Sequence, residues 1–260
     1  MLGTDPDCDR VGIAVNTGKG MKLFTGNQVG ALLVDYVIKM NKDKINDKST
    51  VIKTIVTSEL GGQIGKLNGC KVIEVLTGFK FIGDKMNMFE KEGNGEYVIG
   101  YEESYGYLVG THARDKDAVV ASMLICEMAS YYKNQGKTLV DVLNDIYAKY
   151  GYYLDKLDSF TLKGIDGIEK IQAIMKAMRE AGASLIDGIV TVYDYEKGVD
   201  DLPKSDVLKF VFADSSWIAI RPSGTEPKIK VYYSVRGENE ADASKVLEAR
   251  RAIINKIIEG

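Results

Sequence analysis

Residues 49–106 alternate between β-branched runs and amphipathic stretches, and this alternation constrains the fold more than any other feature of the chain. "STVIKTIVTS" reads as a strand, "ELGGQIGKLNG" as a short helix ended by Gly69, and "CKVIEVL" as a second strand. "FKFIGDKMNMFEKEG" reads as a helix, and "YVIGYEESYG" as a strand running into a loop. Strand–helix–strand repeats with short connections build βαβ units and a mainly parallel sheet. Upstream, "VGIAV" (11–15) reads as a short buried strand. The next stretch reads as a helix capped by Thr25 or Asn27, with Val29, Leu32, Leu33, Tyr36 and Val37 at helical spacing. Two further helical patterns, "DAVVASMLICEMASYYKNQG" and "TLVDVLNDIYAKYG", carry the segment to about residue 150.

After Gly151 the texture changes. "YYLDKLDSFTL" is strand-like, "GIEKIQAIMKAMREAG" helical, and four strand patterns follow before a last helix, "NEADASKVLEARRAIINKIIE". Clustered strands flanked by two helices imply a small α+β domain with an antiparallel sheet. The expected architecture is α/β: a mixed, mainly parallel sandwich domain followed by that α+β domain, with a boundary near 150–156.

The 260 residues are 45% hydrophobic, enough for a sizeable core, and carry a net charge of -3. A weakly acidic chain lacks the basic face of a dedicated nucleic-acid or membrane binder. The three cysteines, Cys8, Cys70 and Cys126, show no CxxC spacing, so a disulfide framework is not expected and a reducing cytoplasmic setting is. "MLGTDPD" lacks the basic and apolar regions of a signal peptide.

Three loops, with a polar stretch next to the second, carry residues suited to chemistry. "TDPDCDRVG" holds Asp5, Asp7 and Asp9 at alternate positions, followed by Arg10. Carboxylates suit a hard cation such as Mg2+, and an adjacent arginine suits a phosphoryl group bridging the two. An EF-hand is excluded, because its sixth position is Arg10 and its twelfth Asn16. An Asx-rich turn capping a strand is the competing reading. With only four residues ahead of it, the loop is expected to be loosely supported.

In "GYEESYG" (100–106), an extended backbone would put Glu102 and Ser104 on one face and Glu103 on the other. A carboxylate beside a hydroxyl can read vicinal sugar hydroxyls, or simply mark a polar strand end. In "THARDKDA" (111–118), Arg114 and Lys116 oppose the dipole of the following helix and hint at a nearby anion. His112, the only histidine, lies in the same stretch. In "RPSGTEPK" (221–228), Arg221, Ser223, Gly224, Thr225 and Lys228 suit a phosphate, although a plain hairpin loop would also contain Pro, Ser and Gly.

Taken in order, the three loops resemble those of the α-D-phosphohexomutase family, which includes phosphoglucomutase and phosphomannomutase. "DPDCDR" resembles its metal loop, "EES" with Gly106 its sugar-binding loop, "TGFKFIG" (77–83) a sugar-contacting loop, and "RPSGTEPKIKVYY" its phosphate-binding loop. The resemblance implies Mg2+ on Asp5, Asp7 and Asp9. It implies proton-transfer or charge roles for Lys116, His112 and Arg10. Sugar-phosphate contacts would come from Thr77, Gly78, Glu102, Ser104, Arg221, Ser223, Gly224 and Thr225. It divides the chain into 1–19, the tail of a second domain, 20–152, a third α/β domain, and 153–260, a C-terminal domain.

The family's phosphoserine motif has no counterpart in this sequence. The chain is therefore expected to be a C-terminal portion, inactive alone, whose partners are a sugar phosphate and the N-terminal domains of the same protein. The parent reaction would interconvert hexose 1-phosphate and hexose 6-phosphate. A phosphopentomutase, or a non-catalytic sugar-phosphate-binding module, fits nearly as well. An aspartate-nucleophile phosphatase does not, because "MLGT" is too short for the hydrophobic strand such enzymes need. Tyr101 and Cys8 depart from the commoner glycine, or glycine or alanine, of the family pattern.

Overall fold

A computed structural model describes residues 1–162, 166–223 and 226–260. It divides into two compact units, Met1–Tyr150 and Gly151–Gly260.

The first unit opens with three short antiparallel strands in the order β1 (Leu2–Thr4), β2 (Val11–Asn16), β3 (Met21–Leu23). Helix α1 (Gly26–Met40) starts in a capping box: the Gln28 N–H donates to Thr25 Oγ1 (3.2 Å) and the Thr25 N–H to Gln28 Oε1 (3.0 Å). Next come β4 (Ser49–Thr54), α2 (Glu59–Leu67), β5 (Lys71–Val75), α3 (Phe79–Glu92) and β6 (Glu96–Glu102). Gly93, at φ 64°, ends α3 in the left-handed conformation that glycine adopts without steric cost. A hairpin leads to β7 (Gly106–Val109), followed by α4 (Ala118–Lys133) and α5 (Leu139–Tyr150).

The sheet order is β5-β4-β6-β7. Strands β5, β4 and β6 are parallel, and β7 is an antiparallel edge. Every residue of β4 is buried, as expected of a central strand covered on both faces. Ile52, Val75, Phe79, Ile82, Met86 and Leu108 form one core cluster. Among the polar residues of β4, Lys53 is fully buried and bonds the Thr57 carbonyl (3.1 Å), Glu59 (3.0 Å) and Glu74 (2.7 Å).

The second unit contains β8 (Tyr152–Thr161), α6 (Gly167–Ala181), β9 (Ile189–Asp194), β10 (Leu208–Phe212), β11 (Trp217–Pro222), β12 (Lys228–Gly237) and α7 (Glu240–Glu259). Its five strands are antiparallel in the order β8-β12-β11-β10-β9. Met175 and Met178 of α6, Leu247 and Ile254 of α7, and Phe210, Ile218 and Val231 of the sheet share one core. Among the described residues no helix is long and apolar enough to cross a membrane.

Candidate active site

The parallel strands β4, β5 and β6 end at Thr54, Val75 and Glu102, so Thr57, Thr77–Gly78 and Glu103 all lie at the carboxyl edge of one sheet. The strand order reverses direction at β4, and open α/β sheets bind ligands in the crevice at such a point. Glu102 is buried, and its Oε1 accepts the Gly78 N–H at 3.0 Å. Gly78 has φ 119°, a value side chains rarely tolerate, and begins α3. The "TGFKFIG" and "EES" loops are thus tied together by one charge-assisted bond.

Glu103, Ser104 and Tyr105 form the tight turn between β6 and β7. The extended backbone expected to align Glu102 with Ser104 stops at Glu102, because that residue already pairs with Gly106 across the hairpin. Gly26 fits directly beneath the turn, where a Cβ would come within 2.1 Å of the Glu103 carbonyl oxygen. Tyr101, the departure from the commoner glycine, is fully buried. Its ring packs on two glycines, with an added Cβ coming within 2.3 Å at Gly30 and 2.0 Å at Gly61, so the bulk of one position is matched by space at two others.

The aspartate loop is better supported than its position in the chain suggests. Residues 2–4 pair with 11–13, although all three residues of β1 are exposed and form no hydrophobic strand. The Val11 N–H donates to the Tyr105 carbonyl (3.2 Å), and the Ala118 N–H to the Cys8 carbonyl (3.0 Å). Arg10 forms a bridge with Gly106. The loop is therefore stitched to both the hairpin turn and the start of α4. Cys8 has φ 56°, a left-handed value that glycine adopts more readily than a side-chain-bearing residue.

Asp5 Oδ1 accepts the N–H groups of Asp9 and Arg10, each at 3.0 Å. The bond from Arg10 foremost, with that from Asp9, holds the Asp5 carboxyl below its ordinary range. These bonds reach four and five residues on, so Asp5 closes the whole loop rather than the two-residue Asx turn weighed from the sequence. Among the described residues no three carboxylate, thiol or imidazole side chains converge as a metal cluster. The donor set still suits a hard cation, since the loop offers three carboxylates and only one Asp5 oxygen is committed to backbone bonds.

Lys116 links this loop to the sugar-loop side. Its Nζ lies 2.9 Å from Asp9 Oδ2 and 2.8 Å from Asp115 Oδ1, with its side chain only 11% exposed. Its stem crosses Gly106, where a Cβ would meet Lys116 Cδ at 2.4 Å. Burial alone would lower the Lys116 pKa, but Asp115 and Asp9 outweigh it and push it up. Burial drives the Glu102 carboxyl up, against the Gly78 N–H and the charges of Lys116 and Arg10.

His112 Nε2 lies 2.8 Å from Asp117 Oδ2, while Asp117 Oδ1 caps α4 through the N–H groups of Val119 and Val120. Arg114 faces away from an anion-binding role: it bonds Asn87 Oδ1 (2.7 Å), Glu90, and the carbonyls of Thr111 and Ala113. Of the basic pair noted in the sequence, Lys116 alone pairs with the aspartate loop, while Arg114 lines the neighbouring cavity with its guanidinium bonded to α3 and to nearby carbonyls. A cavity of about 790 Å³ among α1, α2, α4 and α5 lies apart from these loops. A second, of about 670 Å³, is lined by Asp7, Asp9, Lys80, Arg114 and Lys116.

In the second unit, residues 221–228 join β11 to β12 as a hairpin, closed by the Ser223 N–H donating to the Lys228 carbonyl (2.8 Å). Arg221 stands directly opposite Lys230, so two cations sit side by side at its base. Lys228 pairs with Glu226 at 2.8 Å. Gly224 and Thr225 lie outside the described residues.

The sequence reading missed Thr54 and Thr57. Both are fully buried, and the hydroxyls of both contact Glu103 Oε2 at 3.3 Å. Their pattern, inside "STVIKTIVTS", is that of an ordinary strand; only the "T-x-x-T" spacing at its end set them apart.

A parallel-stranded α/β domain with carboxylates and a lysine gathered at its carboxyl edge, and an α+β domain with an antiparallel sheet, define a two-unit protein of the α/β plus α+β class. The model of phosphoglucomutase/phosphomannomutase α/β/α domain III matches residues 25–150, and that of the family's C-terminal domain matches residues 160–252. The chain belongs to the phosphoglucomutase/phosphomannomutase family. It is 40% identical over 263 aligned residues to the phosphoglucomutase of Staphylococcus aureus strain COL, covering 96% of this chain and 47% of that protein. It spans about half the length of the curated relatives it matches. Two solved structures share the fold. One is pp63/parafusin from Paramecium in its open form, with TM-score 0.73 and 22% identity, over 98% of this chain and 45% of that one. The other is a phosphoglucomutase/phosphomannomutase family protein from Burkholderia thailandensis, with TM-score 0.65 and 14% identity, over 100% and 47%.

Proposed function

We propose that the chain supplies the sugar-phosphate-binding half of a phosphohexomutase that interconverts hexose 1-phosphate and hexose 6-phosphate, with glucose the favoured sugar. The observation that carries this reading is the convergence of Asp9, Gly78, Glu102 and Lys116, from four separate segments, at one edge of one sheet. The relatives' name supports the same activity.

In this reading a phosphoserine on N-terminal domains of the same protein gives its phosphoryl group to the hexose phosphate. The bisphosphate turns over, and its other phosphoryl group returns to the serine. Such transfer depends on positioning and charge neutralisation more than on covalent chemistry. Glu102 and Ser104 accept and donate hydrogen bonds to sugar hydroxyls in both orientations. Lys116, already charged between Asp9 and Asp115, stabilises the reacting oxygen and passes its proton, and His112 serves as a nearby proton carrier. Arg10 neutralises phosphoryl oxygens. Arg221, Ser223, Gly224 and Thr225 hold the phosphate that does not react, and Thr77 with Gly78 borders the sugar. Asp5, Asp7 and Asp9 would hold Mg2+, which offsets phosphoryl charge when bound.

A coupled assay with glucose 1-phosphate and catalytic glucose 1,6-bisphosphate tests the division of labour. The chain alone is expected to give no glucose 6-phosphate, and the same chain joined to a phosphoserine-bearing half is expected to turn over. Sustained turnover by the chain alone would contradict it.

A further inference from the structure

Thr54 Oγ1 lies 2.7 Å from Thr57 Oγ1, and both lie 3.3 Å from one oxygen of Glu103. Three oxygens therefore make three mutual contacts. Each threonine hydroxyl carries one proton and an ionised carboxylate carries none, so two protons would have to serve three hydrogen bonds. A protonated Glu103 supplies the third. Its O–H donates to one threonine, that threonine to the other, and the second back to Glu103, so every contact has a donor.

The surroundings favour that state. Burial is the largest influence on the Glu103 carboxyl and, with the neighbouring Glu102 charge, pushes its pKa to about 7, against the bonds from its own N–H and from the two threonines. Lys53 on β4, which bonds the Thr57 carbonyl, has its ammonium taken also by Glu59 at the start of α2 and by Glu74 on β5. From α1 the backbone at Gly26 packs against the turn, and its carbonyl accepts the Tyr107 hydroxyl from β7 at 3.3 Å.

We propose that Glu103 is a positioning residue that holds the Glu102–Ser104 turn as a neutral carboxylic acid, closing a three-oxygen hydrogen-bond ring with Thr54 and Thr57. This rests on the reading of that turn as the sugar site. Ionisation removes the ring's third proton and sets a second carboxylate beside Glu102, so sugar binding weakens as Glu103 loses its proton. Glu103→Gln keeps an uncharged donor in the same place and removes the titration.

The test is a carbon-detected NMR titration of the intact chain with labelled glutamate carboxyls, assigned through the backbone, alongside calorimetric binding of glucose 1-phosphate at pH 6 and pH 8. Glu103 should titrate near neutrality. Wild-type affinity should fall about threefold or more from pH 6 to pH 8 relative to Glu103→Gln, which shares the ligand's own phosphate titration. Glu103→Ala should bind at least about tenfold more weakly at pH 6, with Glu103→Gln restoring affinity. A Glu103 midpoint in the ordinary carboxylate range, or equal pH dependence in wild type and Glu103→Gln, would overturn the proposal. If no form binds glucose 1-phosphate at either pH, the functional reading fails, while the carboxyl titration still decides the protonation of Glu103.

Discussion

Lys116 Nζ stands 2.9 Å from Asp9 Oδ2, joining the aspartate loop to the segment that leads into α4. The same ammonium holds Asp115 below the ordinary carboxylate range, overcoming the burial that would raise it. In Lys116→Met the Asp115 carboxyl should therefore titrate at higher pH than in the wild type. Carboxyl NMR reads this directly, and an unmoved Asp115 would mean that the lysine is not its partner.

Gly26→Ala should destabilise the first unit by about 1–3 kcal/mol, because the new methyl meets backbone atoms of Glu103 and Tyr105 that no side-chain rotation can clear. Denaturant unfolding measures the loss. A variant as stable as the wild type would mean that α1 and the sugar turn are not in this close contact.

Cys8→Gly should leave stability unchanged or raise it, by up to roughly 1 kcal/mol. Relief of the left-handed strain at φ 56° opposes the greater freedom glycine gives the unfolded chain. A clear loss of stability in thermal unfolding would show that the thiol makes a contact worth more than the strain.

Lys53→Met should cost about 3 kcal/mol. It removes a fully buried ammonium and leaves Glu59, Glu74 and the Thr57 carbonyl without their shared donor. Equilibrium unfolding tests this, and a neutral substitution would indicate that the two glutamates are solvated well enough to need no cation.

Glu103 also sets a direction for stability against pH. Its folded pKa of about 7 lies above the ordinary glutamate value of 4.5, so between these values the native state binds more protons than the unfolded one. Its contribution is then fully present below about pH 4.5 and is lost as pH rises through 7. Unfolding followed at pH 5 and at pH 7.5 should show a smaller fall in Glu103→Gln than in the wild type.

Much of the fold was legible because periodicity and caps agree. The β4–α2–β5–α3–β6 segment alternates continuous β-branched runs with period-3.6 patterns, bounded by Ser58, Gly69, Gly78 and Gly93. Strands β1, β3 and β7 were not legible. They are three or four residues long, and β1 and β3 are exposed along their whole length, so neither carries an apolar pattern. In the site, individual charged residues stood out, but their partners did not. Nothing local joins Glu102 to Gly78, Lys116 to Asp9, or Glu103 to Thr54, which are 24, 107 and 49 residues apart. The expectation of a loosely held aspartate loop failed for the same reason, since its support comes from Tyr105 and Ala118.

The proposal on which the rest depends is that this chain binds a sugar phosphate, with Glu102 and Arg221 each needed for full affinity. Calorimetric titration of glucose 1-phosphate into the wild-type chain, Glu102→Gln and Arg221→Ala tests it most directly. Saturable single-site binding is expected, weakened by about 1.5–3 kcal/mol in Arg221→Ala and weakened also in Glu102→Gln. Binding that neither substitution diminishes, or no saturable binding by the wild type, would contradict it.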